Sequence, residues 1–297
     1  MIWVLTSLAV LAVAAAGVAW LGFHRVRGKH FESSGVRLHY TDEGQGEPVI
    51  LIHGLGANAD LNWRVPRIVA RLRRRYRVIN LDARGHGLSA MPLAPEFYGT
   101  EMVEDVVRLM DHLGIAKAHV VGYSMGGFIT LKLAMTHPGR LLSASPCASG
   151  WGTFDGENAE LFAALYESIA ANGSFAPLTC KLEAGGKAPQ WKIVLVDKAM
   201  GLVNNMPALS NLIHAFPQFE IPREQLEQNQ VPILSIVGTK DPLIENVALM
   251  RGVLSNHEVI EIRGTDHLTT VFHPRFIRGL EQFLMRHGAA EPAAVQA

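Results

Sequence analysis

A serine set between glycines carries the most distinctive chemistry of this 297-residue sequence. Ser124 is the centre of a G-x-S-x-G motif at residues 122–126, between an apolar run and an amphipathic one. In that setting a sharp strand-to-helix turn lifts the hydroxyl above a sheet. The following helix directs N–H groups and the positive end of its dipole towards developing negative charge. We therefore interpret Ser124 as a nucleophile.

A serine hydroxyl is a weak nucleophile and needs a base that is itself oriented by an acid. Asp241 follows the apolar run at 233–237, and His267 follows the run at 258–262. Both therefore fall at the carboxyl ends of predicted parallel strands, where open α/β sheets place their sites. The order serine, acid, histidine is the one expected for this motif. The sequence predicts a catalytic triad of Ser124, Asp241 and His267.

The same region of the sequence allows other interpretations. Asp241 precedes a proline and could serve only as a turn former. Asp266 is a rival acid, although side chains of adjacent residues diverge, which disfavours its contact with His267. His273 is a rival base, but it precedes a proline at the start of a predicted helix and is typical of a surface boundary.

Stabilisation of a tetrahedral intermediate requires two N–H donors aimed at its oxyanion. The backbone amide of Met125, the residue after the nucleophile, is the first candidate. The second is the amide of Leu55, in the His-Gly-Leu-Gly loop at 53–56 that follows a predicted strand. The alternative is that these glycines only form a tight turn. We interpret His53 and His86 as structural.

The elements that must position these residues alternate between strands and helices. Short apolar runs predict strands at 36–40, 49–53, 78–81, 119–122, 141–145, 233–237 and 258–262. Amphipathic spacing predicts helices at 64–75, 102–113, 125–136, 159–171, 206–216 and 274–286. Such alternation is typical of an α/β fold, with a mainly parallel sheet between helices on both faces. We expect a core at 35–149 and 230–288, a helical lid insertion at 150–229 and a flexible tail at 289–297.

The amino-terminal segment differs from the rest of the chain. Residues 2–23 contain no charge, and 22 residues span about 33 Å as a helix, enough for a bilayer core of about 30 Å. Tryptophans near both ends favour membrane interfaces. We predict a single-pass membrane anchor at 1–24, with a cleaved signal peptide or a buried core helix as alternatives. Arg25, Arg27 and Lys29 would then place the globular part in the cytoplasm by the positive-inside tendency.

Composition excludes several classes of function. Lys+Arg and Asp+Glu both total 27, a balance that argues against a nucleic-acid binder. Two cysteines, Cys147 and Cys180, cannot form a disulfide framework, and no Cys/His cluster has the spacing of zinc ligands. We therefore expect no structural zinc site. The oligomeric state stays open.

Three motifs together resemble the α/β-hydrolase superfamily over about residues 35–287. They are HGLG at 53–56, DARGHGLS at 82–89 and GYSMGG at 122–127. With Asn62-Trp63 and the apolar amino terminus, the chain is similar to membrane-bound monoacylglycerol lipases and related bacterial esterases. The polar stretch 143–147 departs from the pattern, which puts the boundary of that strand in doubt. Relatives that open epoxides or remove halides have Asp in place of Ser124, so those activities are disfavoured.

The resemblance implies a serine esterase or lipase, acting on small lipids such as monoacylglycerols, without a cofactor. Two alternatives remain: carbon–carbon bond hydrolysis of diketo acids on the same triad, and a hydrolase-fold receptor without turnover. The insertion has apolar residues at helical spacing that either pack the lid or line its entrance: Leu161, Phe162, Leu165, Ile169, Leu202, Met206, Leu209, Ile213, Phe216 and Phe219. Arginines at 71–77 could contact anionic headgroups, although a solvated helix face is the simpler interpretation.

Overall fold

The computed structural model describes residues 26–183 and 185–288. An eight-stranded sheet with the strand order β1-β2-β4-β3-β5-β6-β7-β8 forms its centre. Strands β3 to β8 are parallel, whereas β2 is antiparallel to both β1 and β4. The strands are Lys29–Ser33, Val36–Glu43, Pro48–Ile52, Arg77–Leu81, Ala118–Tyr123, Leu141–Cys147, Ile233–Gly238 and His257–Ile262. The predicted mainly parallel sheet is confirmed.

Helices cover both faces of the sheet, as expected. They are α1 (Ile68–Leu72), α2 (Glu101–His112), α3 (Met125–Thr136), α9 (Ile244–Arg251) and α10 (Pro274–Arg286). Ile50 and Ile52 of β3 pack in the core beside α2 and α3, whereas Val49 and Leu51 pack in a second core with α1 and α10. This alternation follows from the two-residue period of a strand. Each fully buried aliphatic side chain of this kind contributes about 1.5–3 kcal/mol.

All the regular secondary structure described in the segment predicted as a lid is helical. Its helices are α4 (Gly156–Asn172), α5 (Ala176–Lys181), α6 (Gln190–Val203), α7 (Met206–His214) and α8 (Arg223–Glu227). Helices α4 and α7 lie side by side, and Leu165, Ile169, Leu209 and Ile213 are buried in the main core. Between 150 and 229, the described residues include no strand. The lid boundaries themselves stay a prediction.

One predicted helix is wrong in detail, and one strand was not predicted. The helix predicted at 64–75 is broken, because Arg67 has φ = 65° in the left-handed region, between a wide helical turn (Asp60–Arg64) and α1. Strand β1 precedes the predicted start of the core at residue 35. Only Phe31 and Ser33 of β1 are buried, so its apolar pattern was too short to predict.

The polar stretch 143–147 is a strand after all. Strand β6 continues to Cys147, two residues beyond its predicted end. Ser143 is fully buried, and its Oγ lies 2.7 Å from Nδ1 of His119 on β5. A hydrogen bond between neighbouring strands thus satisfies a side chain that looked unsuited to a core strand.

The two ends of the chain fall outside the described residues. The predicted anchor at 1–24 and the predicted tail at 289–297 lie there, so both stay predictions. Within residues 26–183 and 185–288, none of the helices combines the length and the apolar character that crossing a membrane requires.

Candidate active site

Ser124 lies at a strained turn between β5 and α3. Its backbone has φ = 52° and ψ = −113°, which side-chain-bearing residues adopt at a cost of about 1–3 kcal/mol. Neighbouring glycines make the turn possible because the backbone packs closely there. A Cβ at Gly122 would lie 1.9 Å from the carbonyl oxygen of Gly126, and one at Gly126 would lie 2.2 Å from that of Ile52. The motif therefore fits a serine held above the sheet edge.

The structure brings the three residues of the predicted triad into contact. Nε2 of His267 lies 3.0 Å from Oγ of Ser124, and its Nδ1 lies 2.9 Å from Oδ2 of Asp241. An ionised carboxylate only accepts hydrogen bonds, so Nδ1 donates to Asp241 and Nε2 is free to accept from the serine hydroxyl. Asp241 is 1% exposed and His267 6%, so water is largely excluded from both contacts.

The rival residues are engaged elsewhere. Oδ1 of Asp266 accepts hydrogen bonds from the backbone N–H groups of Leu268 and Thr269. Partial burial opposes ionisation of Asp266, but hydrogen bonds from Thr269 and the backbone keep the pKa of its carboxyl below the usual value. His273 accepts the backbone N–H of Arg275 at 3.2 Å and caps α10. Asp266 and His273 thus have local structural roles.

Leu55 and Met125, whose amides are the predicted oxyanion donors, lie beside Ser124 in the structure. Both residues border the same cavity as Ser124. On either side of Leu55, the amide of Gly54 donates to Oδ1 of Asn62, and the amide of Gly56 donates to Nε2 of His86. In the described part of the chain, neither the Leu55 amide nor the Met125 amide has an intrachain acceptor. These two donors remain available to a ligand.

Buried polar side chains hold the loop that carries Leu55. Asp82 accepts hydrogen bonds from the backbone of Ala59 and Leu88 and from the ring of His39, at 2.8–2.9 Å. Burial alone would raise the pKa of Asp82, but these hydrogen bonds outweigh burial and lower it, so the carboxylate stays ionised. Nε2 of His53 accepts the amide of Ala83 at 3.1 Å. The structural interpretation of His53 fits this contact.

Tyr123 is a site residue that the sequence did not predict. Its hydroxyl donates to the backbone carbonyl of His267 at 2.7 Å, inside the core. Burial and the negative charge of Asp241 raise the pKa of Tyr123, so the phenol stays protonated and keeps donating. The two residues lie 144 positions apart, and no motif connects them.

A cavity of about 420 Å³ opens above Ser124. Its walls are mostly apolar. Of the lid residues predicted to pack or to line the entrance, four line this cavity: Leu161, Phe162, Leu165 and Phe216. Four others are buried in the core: Ile169, Leu209, Ile213 and Phe219. Leu202, by contrast, is 65% exposed.

Helix α6 of the predicted lid segment contacts the loop that carries Leu55. A Cβ at Gly56 would meet the methyl group of Met200, and Nδ2 of Asn204 donates to the carbonyl oxygen of Gly56 at 3.0 Å. Lys192 of α6 forms an ion pair with Glu183 at the cavity wall. Lys181 also lines the cavity, and it has no ion-pair partner among the residues described.

Across residues 26–183 and 185–288, no group of three or more His, Cys, Asp or Glu side chains is arranged to hold a metal ion. Cys147 is fully buried, which raises the pKa of its thiol, and both cysteines are free.

Comparison with known proteins places this chain in a family. A family model described as alpha/beta hydrolase fold matches residues 47–274. A putative carbamate hydrolase RutD from Azorhizobium caulinodans is 32% identical over 214 residues, covering 70% of this chain and 78% of that protein. A 2-hydroxymuconate semialdehyde hydrolase from Pseudomonas sp. is 36% identical over 116 residues, or 38% of this chain and 40% of that protein.

Among solved structures, the enol-lactonase from Burkholderia xenovorans LB400 has the same fold, with a TM-score of 0.72 and 24% identity. It aligns with 86% of this chain over its own full length. The matched family segment covers more than half of the chain and contains Ser124, Asp241 and His267. The chain therefore belongs to the family of hydrolases with the alpha/beta hydrolase fold.

Proposed function

We propose that this hydrolase cleaves carboxylic esters through an acyl-enzyme on Ser124. The observation that carries the proposal is the continuous chain of hydrogen bonds from Ser124 through His267 to Asp241, at the base of a cavity. Such a chain gives a serine hydroxyl both a proton acceptor and an oriented, electrostatically supported imidazole.

In the proposed reaction, Oγ of Ser124 attacks the ester carbonyl while Nε2 of His267 takes its proton. The amides of Leu55 and Met125 stabilise the oxyanion, a contribution of about 3–4 kcal/mol for a donor of this kind. The carboxylate of Asp241 stabilises the imidazolium. The imidazolium then protonates the leaving alcohol as the carbon–oxygen bond breaks. Water, deprotonated by His267, attacks the acyl-enzyme, and the proton returns to Ser124 as the acid leaves.

We propose an apolar acyl group on the substrate, with small lipids such as monoacylglycerols as the favoured class. The cavity volume falls within the range of about 300–1,000 Å³ typical of small-ligand sites. Phenylalanine, leucine, valine, methionine and alanine side chains form most of its wall, which suits a hydrocarbon chain better than a charged one. The proposed membrane anchor at 1–24 would hold the enzyme near such substrates.

One observation favours a second candidate, carbon–carbon bond hydrolysis of diketo acids. These substrates carry a carboxylate, and Lys181 places a cation without an ion-pair partner, in the described part of the chain, at the wall of the cavity. The similarity to a 2-hydroxymuconate semialdehyde hydrolase, which extends over 116 residues, also supports this second candidate. Replacement by methionine, Lys181→Met, separates the candidates. It should lower turnover of a diketo acid more than tenfold under the second candidate and leave short esters within twofold under the first.

Labelling with a fluorophosphonate probe tests the proposed nucleophile. Wild type should be labelled, whereas Ser124→Ala and His267→Ala should not. Ser255→Ala, at an exposed serine, is the matched control and should be labelled like wild type. Equal labelling of Ser124→Ala would refute the assignment, and a labelled enzyme that hydrolyses no ester would refute the reaction. A wild type that is neither labelled nor active would favour a receptor.

A further inference from the structure

Helix α6 of the lid segment exposes a stripe of large apolar side chains. Trp191, Val194, Leu195 and Leu202 are 61%, 40%, 40% and 65% exposed. Their spacing of three, four and seven residues places them on one side of the helix. The other side, with Val196, Met200 and Val203, lines the cavity. The helix is therefore apolar on both sides, which a helix facing only water would not be.

The apolar stripe has a counterpart at the rim of the cavity. Leu268 and Phe272 are 61% and 55% exposed, and both line the same cavity. Leu268 directly follows His267 in the chain. We call the six side chains Trp191, Val194, Leu195, Leu202, Leu268 and Phe272 the mouth surface. Exposed apolar side chains on one side of a helix and at the rim of a cavity that the same helix lines are typical of sites of protein or membrane interaction.

The strand register places the amino terminus of the described chain at the carboxyl edge of the sheet, the edge at which Ser124 and its cavity lie. Lys29 pairs with Tyr40, which pairs with Leu81, the last residue of β4. That end of β4 is the carboxyl edge of the parallel strands, where Ser124 also lies. The amide of Val26 donates to Asp60 at 2.7 Å, just beyond the same edge. The uncharged segment 2–23 therefore joins the described chain on the side of the molecule that carries the cavity.

The arginines at 71–77 lie at the opposite edge. Arg77 begins β4 and pairs in register with Pro48, the first residue of β3. Arg71, Arg73 and Arg77 each form an ion pair, with Glu281, Glu43 and Asp42 respectively. A flat membrane that contacts the mouth surface would not reach them, so they are not the basis of docking.

Lysines accompany the mouth surface instead. Lys187 and Lys198 are exposed, and Lys198 lies on the apolar stripe of α6 between Leu195 and Leu202. Tryptophan and leucine beside lysine are typical of helices that lie in the interface of a bilayer containing anionic lipids.

We propose that the mouth surface docks on a phospholipid bilayer with anionic headgroups, so that an ester passes from the lipid directly into the cavity. The docking follows from the exposed side chains and from the side on which segment 2–23 joins. The passage of substrate rests on the proposed function.

Quenching of Trp191 fluorescence tests the docking without any need for catalysis. The full chain is reconstituted in phosphatidylcholine–phosphatidylglycerol vesicles with or without lipids brominated near the headgroup. The emission difference between wild type and Trp191→Phe isolates Trp191 from the four other tryptophans. We expect bromine to reduce this difference at least twofold. An unchanged difference would overturn the proposal.

Hydrolysis tests the passage of substrate. The double variant Trp191→Ser/Leu202→Ser should hydrolyse a long-chain monoacylglycerol in vesicles at least fivefold more slowly than wild type. Its rate on water-soluble p-nitrophenyl acetate should stay within twofold. Leu249→Ser, at a 54% exposed leucine outside the mouth surface, is the matched control and should leave both rates unchanged.

The outcomes separate the two proposals. A wild type that hydrolyses neither ester would refute the proposed function, while quenching of Trp191 would still decide the docking. An equal loss on both substrates would show that the double variant damages the site, and would overturn the passage of substrate. If cross-linking shows that Leu202→Ser abolishes a dimer and Trp191 is not quenched, the mouth surface binds a second copy and the membrane proposal is wrong.

Discussion

Removal of one hydroxyl, in Tyr123→Phe, tests whether a buried hydrogen bond positions His267. The variant keeps the ring, which packs with its centroid 6.2 Å from those of Trp63 and Phe276. It removes the 2.7 Å hydrogen bond to the carbonyl oxygen of His267. Because Tyr123 is only 5% exposed, water does not readily replace the donor. Leaving a buried acceptor without its partner costs about 1–3 kcal/mol.

Urea unfolding should therefore give a free energy of unfolding lower by about 1–3 kcal/mol, with an unchanged dependence on urea concentration. If the same hydrogen bond also orients the imidazole in the transition state, its removal raises the activation free energy. An increase of about 1.4 kcal/mol lowers kcat about tenfold. KM for a short ester should change less than twofold, because the variant keeps the ring that lines the cavity.

Tyr98→Phe is the matched control. Tyr98 is 1% exposed, and its hydroxyl donates to the carbonyl oxygen of Pro92 at 2.7 Å. It lines no part of the cavity above Ser124. We expect a similar loss of stability without a change in kcat. Unfolding of Tyr123→Phe like wild type, or an equal fractional loss of kcat in both variants, would refute a positioning role for the Tyr123 hydroxyl.

Three further predictions concern packing, pH and membrane attachment. Gly126→Ala should fail to fold or lose more than about 3 kcal/mol, because its Cβ would lie 2.2 Å from the carbonyl oxygen of Ile52. Gly139→Ala, which meets no atom within 4 Å, should change stability by less than about 0.5 kcal/mol, and equal urea midpoints for the two variants would contradict this. Burial lowers the pKa of His257 to about 4. The unfolded chain takes up a proton near pH 6.5, so the free energy of unfolding should fall between pH 6.5 and pH 4, by at most about 1.4 kcal/mol per pH unit from this group. His257→Gln should flatten that decline in urea titrations, and an identical slope would exclude the histidine as its source. Extraction of membranes with alkaline carbonate should leave the full chain in the pellet if residues 1–24 form an anchor, and its release would contradict the anchor.

The sequence predicted the sheet and the three converging side chains because both follow from local patterns. Each of Ser124, Asp241 and His267 stands just after an apolar run that forms a parallel strand. The carboxyl ends of parallel strands share one edge, so positions far apart in the chain meet there. The chemistry of each residue type then left few arrangements for a hydroxyl, an imidazole and a carboxylate.

Features that depend on distant contacts could not be predicted in this way. The bond from Tyr123 to His267 joins the end of strand β5 to a loop 144 positions away, and Tyr123 looks like any aromatic residue in a strand. The left-handed backbone of Arg67 interrupts what is, by spacing, a continuous helix. Ser143 is acceptable in a core strand only because His119 faces it. In each case the deciding interaction lies outside the sequence window that carries the pattern.

The hydrogen bond from Asn204 to Gly56 gives the substrate-covering segment a second role. Asn204, which directly follows α6, is bonded to Gly56, and the preceding residue, Leu55, provides a proposed oxyanion donor. A hinge motion of α6 would therefore displace the loop that carries Leu55 as well as widen the entrance to the cavity. A chimaera that takes its lid segment from another protein to alter substrate selectivity should therefore retain Asn204. Without Asn204, the turnover rate and the substrate selectivity should change together.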